Sequence, residues 1–226
     1  VGYDVEGRKV VEVLPKEIKK NTIANKVTDE DVILVTGGGR GIVYECVDAL
    51  LEHVSPKIIV TGRTPLPDRN SKEMSMTDEE FKAYRGEFLK IQHALDAKIP
   101  PVLIQRKYEN LINARLLLAN LAKWEDKGYE VEYVVCDAAK SEDMEELVNY
   151  VKKKYGKITG IINGAGLPSF GKIPKKDEKF AEKVVEVKAN STFVLMKECM
   201  NEPLKFFISM GSISGRFGMD GQVDYS

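Results

Sequence analysis

The sequence predicts an α/β fold in which a parallel sheet is covered by helices on both faces, and three observations support this doubly wound arrangement. Short runs such as Asp31–Thr36 and Lys57–Thr61 are β-branched and largely apolar, which is typical of parallel strands buried on both faces. Helical stretches lie between these runs, so strand and helix alternate along the chain. A glycine cluster directly follows the first run, where folds of this class turn from strand to helix.

Several runs have the pattern of a buried strand, and they set the order of elements along the chain. The expected strands are Asp31–Thr36, Lys57–Thr61, Val131–Val135, Lys157–Asn163 and Leu204–Met210. The expected helices between them run from the glycine cluster to about His53, over Ser141–Tyr155 and over Asp177–Met200.

The crossover between the second and third strands is long and contains two further helical segments. Thr77 and Glu80 have the spacing of a capping box, which predicts a helix that continues to about Leu95. A second helix, rich in Leu and Ala, is predicted over about residues 109–127 and is expected to pack on the sheet. The stretch 64–104 is therefore predicted to be a helical insertion after the second strand.

Length and composition indicate one sizeable domain with an attached segment. The chain has 226 residues, of which 43% are apolar and 31% charged, as in an ordinary globular protein. Residues 1–30 are polar and Lys-rich apart from the run Val10–Leu14, and they are predicted to be a linker or the tail of a preceding domain. Residues 31–226 are predicted to form the domain itself.

Charge, cysteines and hydropathy argue against several classes of function. A net charge of -1 without a clustered basic excess argues against nucleic-acid binding. Three cysteines without CxxC spacing argue for a reducing compartment and against a disulfide framework or a metal site. No apolar run approaches the ~20 residues of a membrane helix, and the N-terminus lacks a signal peptide. A cytoplasmic location, alone or in an assembly, is expected.

The segment Thr36–Val43, Thr-Gly-Gly-Gly-Arg-Gly-Ile-Val, lies directly between the first strand and the first helix. Glycines at such a turn let backbone N–H groups approach a pyrophosphate at the helix N-terminus. A glycine-rich turn alone is weak evidence, but after the first buried strand it favours a dinucleotide site. Val43 stands where the Rossmann pattern has its last glycine, so the helix–strand contact is either looser here or offset elsewhere. The residues predicted to contact the cofactor are Thr36, Gly37, Gly39, Arg40, Gly41 and Ile42.

The end of the second strand indicates which dinucleotide is bound. A site for NAD carries a carboxylate about 20 residues after the glycine loop, whereas the stretch Thr61–Thr64 contains no acid. Arg63, and Arg40 in the loop, could donate charge-assisted hydrogen bonds to a 2′-phosphate, each worth roughly 1.5–3 kcal/mol. Both arginines could instead be solvated loop residues. NADPH is the predicted cofactor.

The glycine loop, Asp137 after the third strand, Asn163–Gly166 after the fourth, and Ser212 with Tyr225 after the fifth together resemble the short-chain dehydrogenase/reductase family. Within that family, the stretch Phe206–Tyr225 is similar to the ketoreductase domains of polyketide synthases and polyunsaturated fatty acid synthases. The resemblance covers about residues 31–226 and implies a Rossmann-type fold.

The resemblance implies that a ketone is reduced by a hydride from NADPH and a proton delivered to the developing alkoxide. Tyr225 would deliver the proton, because a phenol with a reference pKa of about 10 can do so when a nearby cation lowers its pKa. Ser212 would hydrogen-bond the carbonyl oxygen. Lys188 would be the cation, since it precedes Ser212 by 24 residues and Ser212 precedes Tyr225 by 13, as the family pattern implies.

Helical phasing agrees with a role for Lys188, which shares a face with Val184, Ser191 and Leu195. A lysine on such a face is often only a snorkelling side chain, and Asn190 is a rival for a supporting role. The residues expected along the adenine and ribose side of the cofactor cleft are Asp137, Ala138, Asn163, Gly164, Ala165 and Gly166.

Three functions stay open on the sequence. The first is an NADPH-dependent reductase of a β-ketoacyl chain tethered to an acyl carrier protein, among neighbouring synthase domains. The second is a catalytically silent scaffold within a megasynthase, and the third is a short-chain reductase of a free small-molecule ketone. The resemblance leaves the product stereochemistry open too. Polyketide ketoreductases that form one alcohol stereoisomer carry Leu-Asp-Asp where this chain has Leu167–Phe170, and those that form the opposite stereoisomer usually carry a Trp where this chain has Phe217.

The chain ends at Ser226, directly after the expected proton donor Tyr225. The family resemblance implies at least one more helix and two more strands beyond this point. We therefore expect residues 1–226 to be a fragment whose C-terminal part is missing, and to show little turnover when expressed alone.

Overall fold

The computed structural model describes residues 2–10, 12–16 and 26–226. Residues 1, 11 and 17–25 lie outside the described residues, and with them lie part of the Val10–Leu14 run and part of the predicted linker. The remainder of the first thirty residues begins with an exposed antiparallel hairpin of β1 (Gly2–Asp4) and β2 (Gly7–Lys9).

A single five-stranded parallel sheet forms the centre of the rest of the chain. Its strands are β3 (Val32–Thr36), β4 (Lys57–Gly62), β5 (Val131–Val135), β6 (Gly160–Asn163) and β7 (Phe206–Ser209). They are arranged in the order β5-β4-β3-β6-β7 and every neighbouring pair is parallel. The strand order reverses at β3, which pairs with both β4 and β6, and ligands of doubly wound sheets bind beyond the carboxyl ends of the strands at such a point. The predicted fold class is confirmed.

Helices cover both faces of the sheet. They are α1 (Gly41–Leu51), α2 (Lys72–Ser75), α3 (Asp78–Leu95), α4 (Pro101–Asp126), α5 (Ser141–Tyr155), α6 (Glu178–Glu198) and α7 (Ser214–Phe217), with a 3₁₀ turn at Ile173–Lys175. The strands alternate their side chains between the two cores. In β3, Ile33 and Val35 pack with α1 and with Trp124 of α4, whereas Leu34 packs with α5 and α6.

Local signals placed several helix ends correctly. Thr77 caps α3, and its hydroxyl accepts from the Glu80 N–H while the Glu80 carboxylate accepts from the Thr77 N–H, so the predicted capping box is present. Helix α5 ends at Gly156, which adopts the left-handed conformation that a helix C-cap favours.

The long crossover differs from the prediction at one boundary. Helix α4 begins at Pro101 and runs unbroken to Asp126, so the expected start near Glu109 and the expected boundary of the insertion at 104 both fall inside one helix. Its first turns bury Ile104 and Tyr108 against α3 in a separate aromatic core, where the Tyr108 and Phe81 rings stack 5.3 Å apart. These contacts replace the sheet contacts that a crossover helix normally makes. The C-terminal half of α4 packs on the sheet, as predicted.

Candidate active site

The glycine loop lies between β3 and α1, and backbone packing explains its first glycine. Gly37 has φ 70°, which favours glycine, and its N–H donates to the Thr61 carbonyl at 2.9 Å. A Cβ added at Gly37 would lie 3.1 Å from the carbonyl carbon of Gly164. The loop after β3 therefore rests directly on the loop after β6.

Thr36 and Asn163, two predicted cofactor-binding residues, are fully buried and bind each other at the ends of adjacent strands. The Thr36 hydroxyl donates to the Asn163 side-chain oxygen at 2.5 Å and accepts from the Ala165 N–H at 3.1 Å. The Asn163 amide donates to Ser191 and Thr192 of α6. Both side chains hold the surrounding loops in place, beneath the surface that a cofactor would contact.

Val43, which replaces the usual third glycine, is buried against Gly164. Its methyl groups occupy the space where a side chain on Gly164 would lie. The close approach of α1 is thus retained, because the residue without a side chain is Gly164 in the loop after β6 and not the residue in α1. Of the two alternatives that the sequence left open, the larger Val43 side chain is compensated by Gly164, and the helix–strand contact is not looser.

A cleft of about 250 Å³ opens at the carboxyl ends of the strands, between the glycine loop and the loops after β4, β5 and β6. The predicted cofactor residues that line this glycine-loop cleft are Gly37, Gly39, Arg40, Arg63, Asp137, Ala138, Gly164, Ala165 and Gly166. Gly41 and Ile42 do not line it, and both are exposed at the start of α1. Most of the predicted set is therefore brought together around one concave surface.

Unpaired donors make this cleft suitable for a phosphorylated ligand. Among the described residues, Arg40 and Arg63 have no hydrogen-bond or ion-pair partner, and the N–H groups of Gly39 and Arg40 have no acceptor. The first turn of α1 contains no acid, so its N-terminus favours an anion. Asp137 is the carboxylate of the lining; its side chain accepts from the Ala139 N–H and lies 4.0 Å from the Lys183 ammonium. The residues present fit a dinucleotide phosphate.

Helix α4 contacts the glycine loop through two side chains that were not predicted as site residues. The Asn120 side chain is buried and donates to the Gly39 carbonyl at 3.0 Å, and Leu117 fills the space beside Gly39. Tyr133 of β5 donates from its hydroxyl to the Thr64 carbonyl at 2.8 Å; burial raises its pKa above the ordinary value although the Arg40 charge opposes this. The available signal in the sequence was the polar residue Asn120 among Leu116, Leu117 and Trp124 on one helix face, where a buried hydrogen bond is needed.

Lys188 projects from α6 to the end of β7. Its ammonium donates to the Met210 carbonyl at 2.8 Å, and burial lowers its pKa below the ordinary value. A Cβ added at Gly166 would lie 3.4 Å from the Lys188 nitrogen, so the loop after β6 passes close to this cation. Asn190, the rival for a supporting role, is exposed on the same helix.

Tyr225 and Lys188 line a second cavity of about 170 Å³, which we call the tyrosine cavity. Gly166 and Leu167 line both this cavity and the glycine-loop cleft, so the two adjoin there. Ser212 lies outside the lining, in the exposed turn after β7, where its hydroxyl accepts from the Ser214 N–H and hydroxyl. The structure thus brings Lys188 and Tyr225 together and leaves Ser212 in an adjacent turn.

The last residues fold back toward the Ser212 turn. A Cβ added at Gly215 in α7 would lie 3.4 Å from the Ser226 carbonyl oxygen. Residues 222–226 therefore pack against the same short helix that holds Ser212 in place.

Comparison with known protein families gives a match over the C-terminal half of the chain. The model of the KR domain family matches residues 102–226, which is more than half of the chain and includes Lys188, Ser212 and Tyr225. The chain belongs to the KR domain family. In this KR domain no helix among the described residues is long and apolar enough to cross a membrane, and those residues contain no cluster of side chains that could hold a metal ion.

Curated relatives of this KR domain are large synthases. The polyketide synthase PksN of Bacillus subtilis is 24% identical over 199 residues, which cover 88% of this chain and 3% of PksN. A polyunsaturated fatty acid synthase from Thraustochytrium sp. is 23% identical over 207 residues, which cover 89% of this chain and 7% of that protein. The chain thus spans only a small part of the curated relatives it matches.

Solved structures share the architecture. The N-terminal ketoreductase from the macrolactin assembly line is 26% identical with a TM-score of 0.66, and the match covers 93% of this chain and 33% of that one. A short-chain dehydrogenase from Burkholderia cenocepacia J2315, solved in complex with NADP, is 16% identical with a TM-score of 0.59, over 88% of this chain and 62% of that one. The second likeness shows the fold alone.

Proposed function

We propose that this KR domain binds NADPH in the glycine-loop cleft and reduces a β-ketoacyl group on an acyl carrier protein to the β-hydroxyacyl group. One observation carries the proposal: the cleft adjoins the cavity of Lys188 and Tyr225 at Gly166 and Leu167. A ligand that fills the cleft along the carboxyl ends of the strands would end beside a phenol and an ammonium group. That arrangement suits transfer of a hydride and a proton to one carbonyl.

The preference for NADPH over NADH rests on charge. Arg40 and Arg63 lie at the cleft without partners among the described residues, and Arg63 and Thr64, directly after β4, include no acid to bind a ribose 2′-hydroxyl. The two arginines would bind the additional 2′-phosphate, while the N-terminus of α1 would bind the pyrophosphate that both dinucleotides carry. Bound in the cleft, NADPH would supply the hydride.

Three side chains would act on the substrate carbonyl. Tyr225 would hold a proton on its phenol oxygen and donate it to the developing alkoxide. Lys188, whose side chain is half-buried and lines the same cavity, would favour the phenolate that forms. Ser212 would donate its hydroxyl proton to the carbonyl oxygen, while its own oxygen still accepts from Ser214.

The carrier-bound substrate and the neighbouring domains are inferred from the relatives. The curated relatives named above are polyketide and polyunsaturated fatty acid synthases, and the matched solved structure is a ketoreductase from an assembly line. A growing acyl chain on a carrier protein is the substrate that such a synthase would present. We expect the same substrate class here, in the cytoplasm that free cysteines favour.

The test is Tyr225→Phe in the intact natural protein, with reduction of a carrier-bound β-ketoacyl chain followed by NADPH consumption. Loss of the proton donor should lower kcat roughly 10²- to 10⁴-fold and leave the Kd for NADPH unchanged. Tyr150→Phe is the matched control, because Tyr150 is exposed on α5 and its hydroxyl bonds Glu132 and Lys154, outside the tyrosine cavity lining. Unchanged turnover in Tyr225→Phe would show that Tyr225 is not the proton donor, and it is the result expected if this domain is a scaffold and another domain carries the reduction. Equal kcat/KM for the free thioester would instead argue against the carrier.

A further inference from the structure

Three residues form a closed hydrogen-bonded cluster at the edge of the tyrosine cavity, and one of them, Asp224, lines the cavity beside Tyr225. The Lys176 ammonium lies 2.7 Å from one Asp224 carboxylate oxygen and 2.9 Å from the Ser169 hydroxyl. The Ser169 hydroxyl donates to the other Asp224 oxygen at 2.6 Å. Side-chain exposure is 10% for Lys176 and 6% for Asp224, so this ion pair is largely withdrawn from water.

The cluster joins two loop segments that are separated along the chain by α6, β7 and α7. Ser169 and Lys176 belong to the connection between β6 and α6, and Asp224 belongs to the turn after α7. The backbones also meet at a pair of glycines, since a Cβ added at Gly221 would lie 3.1 Å from the Gly171 nitrogen. Side-chain and backbone contacts therefore fix the same two segments to each other.

This connection reaches Tyr225 directly. The Asp224 oxygen that binds Lys176 also accepts from the Tyr225 N–H at 3.1 Å. Leu167, at the start of the connection between β6 and α6, lines the tyrosine cavity. The backbone that carries the Tyr225 phenol and one wall of its cavity are thus held by one carboxylate.

We propose that Lys176 and Asp224 are positioning residues that set the Tyr225 phenol in its cavity. The inference rests on the proposed function, in which Tyr225 is the proton donor. Burial alone would raise the pKa of Asp224, but hydrogen bonds from Lys176 and Ser169 hold it below the ordinary value, so the carboxylate stays ionised at neutral pH. Removing one partner would leave a buried charge unpaired. The two segments would then separate to hydrate that charge, and the phenol would move with them.

The variants that test this are Lys176→Met and Asp224→Asn in the intact natural protein. A donor misplaced by about 1 Å should lower kcat on the order of 10²-fold, with the Kd for NADPH and the KM for the substrate little changed. Lys176→Arg should restore most of the loss, because a guanidinium can bind the same carboxylate. Lys175→Met is the matched control, since Lys175 is exposed in the same connection.

A second readout does not depend on turnover. Amide hydrogen exchange over residues 167–176 and 219–226 should accelerate in Lys176→Met and Asp224→Asn, while β3 and β6 exchange as in the natural protein. Should either single variant fail to fold, the double variant Lys176→Met/Asp224→Asn removes the unpaired charge and should fold. It should still show reduced kcat.

The outcomes separate this inference from the proposed function. Full kcat in Lys176→Met, Asp224→Asn or the double variant overturns the inference, provided that Tyr225→Phe is inactive. Full kcat in Tyr225→Phe overturns the proposed function, and the inference with it, whatever the exchange rates. The third outcome is a fall in kcat that Lys176→Arg does not restore, together with amide exchange that accelerates in the sheet as much as in residues 167–176 and 219–226. It indicates general destabilisation and also overturns the inference.

Discussion

Lys188 donates a hydrogen bond from its ammonium nitrogen to the carbonyl oxygen of Met210, 2.8 Å away, at the point where β7 leads into the Ser212 turn. Burial lowers the pKa of Lys188, because the charged form is partly removed from water. Among the described residues no carboxylate pairs with it. A half-buried, unpaired cation contributes little to folding, so its position is better explained by a role in the site.

Lys188→Met should therefore separate activity from stability. We expect turnover to fall on the order of 10²-fold, while the temperature of unfolding stays the same or rises because the desolvation of a charge is removed. Calorimetry and NADPH consumption in the intact natural protein measure the two effects. Lys179→Met, at an exposed position of the same helix, is the control and should change neither. A large loss of stability with full activity would make Lys188 a purely structural residue.

Arg63→Gln should weaken the binding of NADPH and leave the binding of NADH unchanged. The loss of a charge-assisted hydrogen bond of roughly 1.5–3 kcal/mol corresponds to about a tenfold to hundredfold higher Kd. Arg63 is exposed at the cleft and has no protein partner among the described residues, so folding should not change. Fluorescence titration with both nucleotides measures the ratio, with Arg106→Gln on the exposed face of α4 as the control. An equal loss for both nucleotides would contradict a role in 2′-phosphate recognition.

Gly164→Ala should destabilise the domain through Val43. The added methyl group would meet the Val43 side chain and would lie 2.9 Å from the Thr36 carbonyl oxygen. Overpacking of this kind costs roughly 1–3 kcal/mol in the free energy of unfolding. Adding Val43→Ala should restore part of it, and urea denaturation of the two single variants and the double variant gives the coupling. Gly86→Ala is the control, because Gly86 has open space on α3. If the changes in unfolding free energy of the two single variants simply add in the double variant, Val43 does not occupy the space that a side chain at position 164 would need.

Asp31→Asn should make stability less sensitive to acid. Burial alone would raise the pKa of Asp31, but hydrogen bonds from Lys205, Thr28 and Thr159 outweigh it and lower the pKa below the ordinary value of 3.8. A carboxylate with a depressed folded pKa stabilises the fold above its ordinary pKa, and this contribution is lost as the pH falls through the depressed value.

Unfolding free energies at several pH values test this. At neutral pH Asp31→Asn should cost about 3 kcal/mol, since the Asp31 side chain is 3% exposed and its partner Lys205 is left without it. The difference from the natural protein should stay constant above about pH 4 and narrow below it. Asp126→Asn, exposed at the end of α4, should show no such change. A constant difference down to the lowest pH would indicate that Asp31 does not titrate with folding.

Local patterns in the sequence were sufficient for most of the fold. The consecutive β-branched residues Ile58–Val60 predict a buried strand, and the Thr77 and Gly156 signals act within one helical turn. The start of α4 could not be predicted in the same way. Its first turns pack on α3 and not on the sheet, and that choice depends on the shape of another helix.

The site divides along the same line. The sequence by itself determined the fold class and the glycine loop with its arginines, because these depend on residue type and spacing. Its resemblance to ketoreductase domains implied the candidates Lys188, Ser212 and Tyr225. Only the tertiary structure decided which of them meet. It set Lys188 and Tyr225 in one cavity, buried Thr36 against Asn163, and joined Lys176 to Asp224. Such pairs are far apart in the chain and have no common period, so only the folded backbone brings them together.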